Sequence, residues 1–245
     1  MNSRERVRRA IFLKGPDRVP LQHAVLPAAL FRHGQKLCDL LDEFPSDVES
    51  GPRSIPRPED LPVDYRKGGG VDEWGCMWAN EMEGILGIVV EHPLADWSRF
   101  KDYRLPPHTP AEKIRELETR LEEKHDTYVL AGGFNLFERM QWLRGYEELL
   151  IEISTGAPEA YELRDALTDW AIEELQLWMT VDSDGIHLAD DWGTQTALMI
   201  RPERFREFFL PCYRRLCEIA HEAGKDVHFH TDGMVWEIME DLMDA

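Results

Sequence analysis

Val227-His228-Phe229-His230-Thr231-Asp232-Gly233 is a short alternating apolar run that breaks into titratable residues and a glycine, with a helical pattern behind it. Upstream, Gly185-Ile186-His187-Leu188-Ala189-Asp190-Asp191-Trp192-Gly193 has the same construction. Each reads as a strand that ends in a functional loop. Where parallel strands end side by side, their carboxyl ends form the floor of a site, so Asp190, Asp191, His230 and Asp232 are expected to converge there.

Working outward, five strands alternate with helices: Asp17–Ala24 with His23 near its end, Ser46–Ser50, Tyr128–Gly132, Gly185–Ala189 and Asp226–His230. Ser3 is the expected cap of a first helix to about Leu13, and Pro27–Glu43 is helical. Asp96 is expected to cap Trp97–Tyr103, and Thr109 or Pro110 to open a helix to about Lys124. Leu136–Leu143, Tyr146–Thr155, Pro158 to about Thr180, Pro202 to Gly224, and Val235–Met243 complete the helices. Gly51–Gly70, rich in proline and glycine, leads into Val71–Trp78 and Ile85–Glu91, read as an inserted β-hairpin. Its Asp72-Glu73-Trp74-Gly75 either belongs to a lid or sits where Trp74 and Trp78 pin the hairpin down.

This alternation predicts an α/β fold with a parallel sheet, a (β/α)8 TIM-barrel type or an open doubly wound sheet. A closed barrel needs eight strands and about five are present, with Asp244-Ala245 standing where a sixth should begin. The expectation is a single domain over residues 1–245 that forms an incomplete barrel.

The 28 Lys and Arg against 47 Asp and Glu give a net charge of −19, which disfavours nucleic acid and anionic membrane as partners. Four cysteines do not make a disulfide framework, and Cys212 and Cys217 lie about 140° apart around a helix. With no export signal or apolar span in view, the expected location is the cytoplasm.

His230 and Asp232, two residues apart, can hold a divalent metal or orient a general acid–base imidazole. A third ligand would come from Asp190, Asp191, Glu138 or sequence outside this chain. The adjacent Asp190 and Asp191 repel each other, which raises one pKa, and strand geometry sends only one of them into the cavity. In one reading Asp191 caps the Trp192-Gly193-Thr194 turn and Asp190 faces inward. His187 is expected to be buried within its strand, and Asp182 and Asp184 to be loop carboxylates. Nucleophile-elbow, metalloprotease and phosphate-loop motifs are lacking.

Asn2-Ser3-Arg4-Glu5-Arg6-Val7, Pro16-Asp17-Arg18-Val19-Pro20, Asp72-Glu73-Trp74-Gly75, His92-Pro93-Leu94-Ala95-Asp96-Trp97, Phe137-Glu138-Arg139-Met140, Asp190-Asp191-Trp192-Gly193-Thr194-Gln195 and His230-Thr231-Asp232-Gly233 follow in an order that resembles the uroporphyrinogen decarboxylase superfamily. The resemblance covers essentially the whole chain and implies a (β/α)8 barrel with one of two chemistries. Decarboxylases of that superfamily use no metal or cofactor and bind tetrapyrroles through an arginine-rich motif; here His23–Arg32 lacks the paired arginines. The other branch holds zinc-dependent methyltransferases that move a methyl group between a corrinoid protein and a thiol with His-x-Cys; here His230-Thr231-Asp232 puts a carboxylate in place of the thiolate. Some relatives in that superfamily methylate corrinoids from quaternary amines or aryl ethers without the cysteine pattern.

The resemblance therefore implies a methyltransferase-type enzyme acting on a small methyl donor with a corrinoid protein as partner, and a homodimer is within its range. Asp190, His230 and Asp232 are its catalytic candidates, His23, Glu138, Gln195, Asp191 and Trp192 its substrate-binding ones, and His230 with Asp232 its zinc ligands. The alternatives are cofactor-free decarboxylation of a tetrapyrrole in porphyrin biosynthesis, and an inactive fragment or binding subunit.

Overall fold

Asn2, not Ser3, caps the first helix, α1 (Ser3–Ile11): its side-chain oxygen accepts the Glu5 N–H at 2.9 Å. Ser3 instead donates its hydroxyl to Asp47 at 2.7 Å. Asp47 is fully buried and also receives Arg6 at 2.6 Å, Arg18 at 2.7 Å and the Leu21 N–H at 2.7 Å. Burial pushes this carboxyl up, but the Leu21 N–H, Ser3, Arg18 and Arg6 outweigh it and hold it at about 2.

In this computed structural model, residues 1–49, 54–122 and 126–245 are described, so the expected strand end at Ser50 and helix end at Lys124 lie outside the described residues. Asp17–Ala24 is not a strand. Pro20 has no N–H to give, and Leu21 spends its N–H on the Asp47 carboxylate and its carbonyl on the Asp47 N–H, so no ladder forms. The expected helix Pro27–Glu43 is two, α2 (Pro27–His33) and α3 (Gln35–Glu43), split at Gly34, whose φ of 58° no helix continues. In place of the strand expected from Ser46, Val48 makes a single parallel bridge with Tyr128.

The hairpin is a three-stranded antiparallel sheet, β1 (Gly70–Val71), β2 (Met77–Ala79) and β3 (Ile88–Glu91), in that order. Asp72 organises it: one carboxylate oxygen accepts the Trp74 and Cys76 N–H groups, at 2.9 and 2.8 Å, and the other accepts Trp78 Nε1–H at 2.8 Å. Trp74 and Trp78 are both buried. These elements form one compact unit, Met1–His92 with Glu122–Val129.

The second unit comprises Pro93–Leu121 and Leu130–Ala245. Asp96 caps a 3-10 turn, Trp97–Arg99, in place of the longer helix expected. The helix α4 (Ala111–Glu122) follows, and the segment expected as a strand from Tyr128 is not one, although Leu130 makes a parallel bridge with Gly185 and the Gly132 carbonyl accepts the His187 N–H at 3.1 Å. Then come α5 (Leu136–Arg144), α6 (Tyr146–Thr155) and α7 (Pro158–Trp178), opened by a proline whose missing N–H costs nothing at a first helical position. Leu163, Leu167, Ala171 and Leu175 recur on the buried face of α7.

The strand β4 (Gly185–Ala189) has the expected bounds. The helix expected from Pro202 to Gly224 breaks into α8 (Pro202–Phe208) and α9 (Leu210–Glu222), because Pro211 has no N–H to carry the ladder across. β5 (Asp226–His230) also has its expected bounds, and a 3-10 turn, Trp236–Ile238, leads into α10 (Met239–Met243).

β4 and β5 pair in parallel, Gly185 opposite Asp226 through to Ala189 opposite His230. Side chains alternate across this sheet. Ile186 and Leu188, fully buried, share their face with Val227 and Phe229, and Phe229 meets Tyr213 of α9 edge-on at 5.1 Å. The opposite face carries His187, His228 and His230. All four cysteines are buried free thiols.

Candidate site at the ends of β4 and β5

Strand alternation decides which of the two adjacent aspartates enters the site. Asp190 has the parity of Ile186 and Leu188 and turns toward the helices, where it is 1 % exposed. Its carboxylate accepts the Glu138 N–H at 2.8 Å and the Tyr213 hydroxyl at 2.7 Å. Burial pushes that carboxyl up to about 7 against the pull of these donors. Asp191 has the parity of His187 and faces the other way. Of the reading with Asp190 inward and Asp191 as a cap of the Trp192-Gly193-Thr194 turn, neither half is seen: Asp190 turns to the helices, and Asp191 accepts the Asp232 N–H from the neighbouring loop.

Asp191, His230 and Asp232 each offer a ligand atom, all within 4.8 Å of one another. His230 Nε2 stands 3.6 Å from Asp191 Oδ1 and 3.8 Å from Asp232 Oδ1. Asp191 Oδ1 also accepts the Asp232 N–H at 3.0 Å, which fixes the carboxylate that the strand end presents.

The two loops are laced together by their backbones. Asp190 N–H donates to the His230 carbonyl at 3.0 Å, Gly193 N–H to the Asp232 carbonyl at 3.0 Å, and Met234 N–H to the Thr194 carbonyl at 2.8 Å. Thr231 Oγ1 accepts the Trp192 N–H at 3.2 Å. Gly193 and Gly233 touch where they cross: a Cβ on Gly233, at φ +85°, would lie 2.3 Å from the Gly193 carbonyl group. Only glycine meets both the contact and the dihedral.

Beneath the loop, Trp192 is fully buried, stacked on Phe137 at 4.2 Å with Phe209 at 4.6 Å and Phe205 at 5.0 Å. It belongs to the packing that carries the loop. Gln195 is exposed in a turn closed by Thr194 N–H to the Ala197 carbonyl at 2.7 Å. Glu138, in the first turn of α5, is half-buried, and Asn135 Nδ2 donates to its Oε2 at 3.1 Å. Burial raises its pKa; Asn135 opposes that, Asp191 adds to it, and His230 and Arg139 oppose it. His23 lies in the first unit, its Nε2 2.7 Å from the Phe44 carbonyl oxygen. His187 is exposed, its ring 6.4 Å from that of His230, not buried as expected, while Asp184 is buried and not an ordinary loop carboxylate.

Tyr213 is the residue that sequence reasoning missed. A lone hydroxyl on the apolar face of α9 was its signal, since a buried O–H needs a partner.

A sequence model of the uroporphyrinogen decarboxylase (URO-D) family matches residues 80–245. The chain belongs to that family. The matched span takes in β4, β5 and every member of the cluster. No curated protein matches the chain. Among solved structures, a methyltransferase from Methanosarcina mazei is similar with a TM-score of 0.64 over 100 % of this chain and 74 % of that chain, at 17 % identity. At that identity the likeness establishes a shared fold. Among the described residues, no helix of this URO-D family member is long and apolar enough to cross a membrane. Its cluster combines one imidazole with two carboxylates, a donor set and number suited to a catalytic divalent cation such as zinc, with a coordination position left for a ligand.

Proposed function

We propose that this URO-D family chain is a methyltransferase-type enzyme of (β/α)8 design that moves a methyl group from a small donor to a corrinoid carried by a partner protein. Asp191, His230 and Asp232 would hold a divalent cation. The observation that carries this reading is their convergence at the carboxyl ends of two parallel strands. The shared fold with the Methanosarcina mazei methyltransferase supports it.

Bound there, the cation supplies Lewis-acid polarisation of the donor's heteroatom. The chain does the rest. The Asp232 N–H orients Asp191, the crossing of Gly193 and Gly233 fixes the distance between the two loops, and the Trp192 aromatic packing makes the floor rigid.

Decarboxylation of a tetrapyrrole is the weaker reading because of charge. Asp191 and Asp232 present carboxylates beside half-buried Glu138, a poor reception for a ring bearing many carboxylates.

Equilibrium dialysis with Zn2+ and Co2+ tests the cluster. One ion per chain is expected, with affinity lower by about tenfold or more in His230→Ala, Asp191→Ala and Asp232→Ala, as loss of a ligand interaction predicts. Methyl transfer to cob(I)alamin from a panel of donors tests the reaction. Carbon dioxide release from uroporphyrinogen, without bound metal, would overturn the proposal in favour of the decarboxylase. A folded protein that binds no ion and turns over no donor would leave the binding-subunit reading standing.

A further inference from the structure

Along β4, the parity that brings Asp191 to the cluster also places Ala189 and His187 on the same face, one below the other. Alternate residues of a strand lie about 6.6 Å apart. The middle position, opposite His230 in the register, carries only a methyl group, so a gap separates Asp191 from the His187 ring. The other flank of β4 is bonded to the segment before α5, where Ala131 N–H donates to the Gly185 carbonyl at 2.9 Å and the Gly132 carbonyl accepts the His187 N–H at 3.1 Å. Gly132 and Gly133 bring no side chain to that flank. Both glycines are required there: a Cβ on Gly132, at φ +81°, would lie 2.6 Å from the Trp178 side chain, and one on Gly133 would run into the His187 carbonyl oxygen.

His187 is exposed on this face, its ring 6.4 Å from that of His230 and tilted 33° to it. Among the described residues its ring nitrogens have no hydrogen-bond partner. An imidazole with an open gap before it can both donate to and accept from a bound hydroxyl.

We infer that His187 selects the methyl donor, by hydrogen-bonding a second polar group of that molecule while its methylated heteroatom lies at the cluster. The inference rests on the transferase reading above. It assigns the donor to a class: small molecules that carry, two or three carbons from the heteroatom, a neutral hydroxyl able to reach across Ala189. Charge sets the neutrality. Asp191 and Asp232 already balance a divalent cation, which leaves no positive charge to receive a carboxylate at the second position.

The test titrates the zinc-loaded protein with 3-methoxypropan-1-ol and with its isostere 1-methoxybutane, following the ether methyl signal by NMR with no corrinoid present. His187→Phe should shift the ratio of the two affinities by about fivefold to tenfold against the hydroxyl ether, the usual worth of one hydrogen bond, with zinc affinity unchanged. His187→Gln, which keeps a donor and an acceptor, should restore most of the native ratio. Ala189→Leu, which fills the gap, should weaken both ethers alike.

An unchanged ratio in His187→Phe, or no binding of either ether by the native protein, would overturn the assignment. Methyl transfer from 3-methoxypropan-1-ol to cob(I)alamin separates it from the reading beneath it. Transfer without the shift in ratio would remove His187 and keep the transferase, whereas the shift without transfer would keep His187 as a ligand contact and remove the transferase.

Discussion

Asp47 shows how much one residue can organise. A buried carboxylate survives only when its lone pairs are met, and Ser3, Arg6, Arg18 and Leu21 meet them. Removing the carboxylate leaves the 8 %-exposed Arg6 with Asp17 but without its buried partner. Asp47→Ala should therefore cost about 3 kcal/mol or more, read by urea denaturation. Its folded pKa of about 2 lies below the ordinary carboxylate value, so its stabilisation is complete above about pH 4 and is lost as pH falls toward 2. Acid unfolding should begin in that window, and Asp47→Asn should flatten this part of the stability profile. An unchanged profile would show that the network is not what holds α1 in place.

At the scale of elements, the crossing of the two site loops is the most exacting contact. A methyl group on Gly233 would meet the Gly193 carbonyl group at 2.3 Å and would also sit at φ +85°. Gly233→Ala should destabilise by about 2 kcal/mol and weaken cation binding, while Gly15→Ala, which also has a positive φ but open space around it, should show only the dihedral cost. Comparable effects at both glycines would mean that the crossing is not tight.

These elements also show what could be read in advance. β4 and β5 were legible because alternation and a bounding glycine set their limits, and the helices from Leu136 to Thr155 because their periodicity was continuous. The segment after Asp17 failed as a strand because its hydrogen bonds went to a distant carboxylate, which no local pattern encodes. The choice between Asp190 and Asp191 was in the sequence all along, since Ile186 and Leu188 share the parity of Asp190. The gathering of Asp191 with His230 and the meeting of Gly193 with Gly233 were not, because both depend on the register of two strands separated by α8 and α9.

On the scale of the whole molecule, a net charge of −19 dominates. Self-repulsion of that size opposes the compact state and is screened by salt. Raising NaCl from about 20 mM to about 500 mM should raise the Tm, since a Debye length of about 20 Å shrinks to a few ångströms over that range. A fall in Tm would show that ion pairs such as that between Arg206 and Asp241 at 2.9 Å contribute more than the net field.

The three residues of the cluster come from the ends of β4 and β5, about forty residues apart, with α8 and α9 strung between them. A cation seated there would act as a reversible staple across that length of chain, shrinking the unfolded ensemble much as a disulfide does in a protein whose cysteines form none. Protein kept in chelating buffer and protein kept in ordinary buffer would then be two species with different resistance to proteolysis and heat, although their sequence is the same.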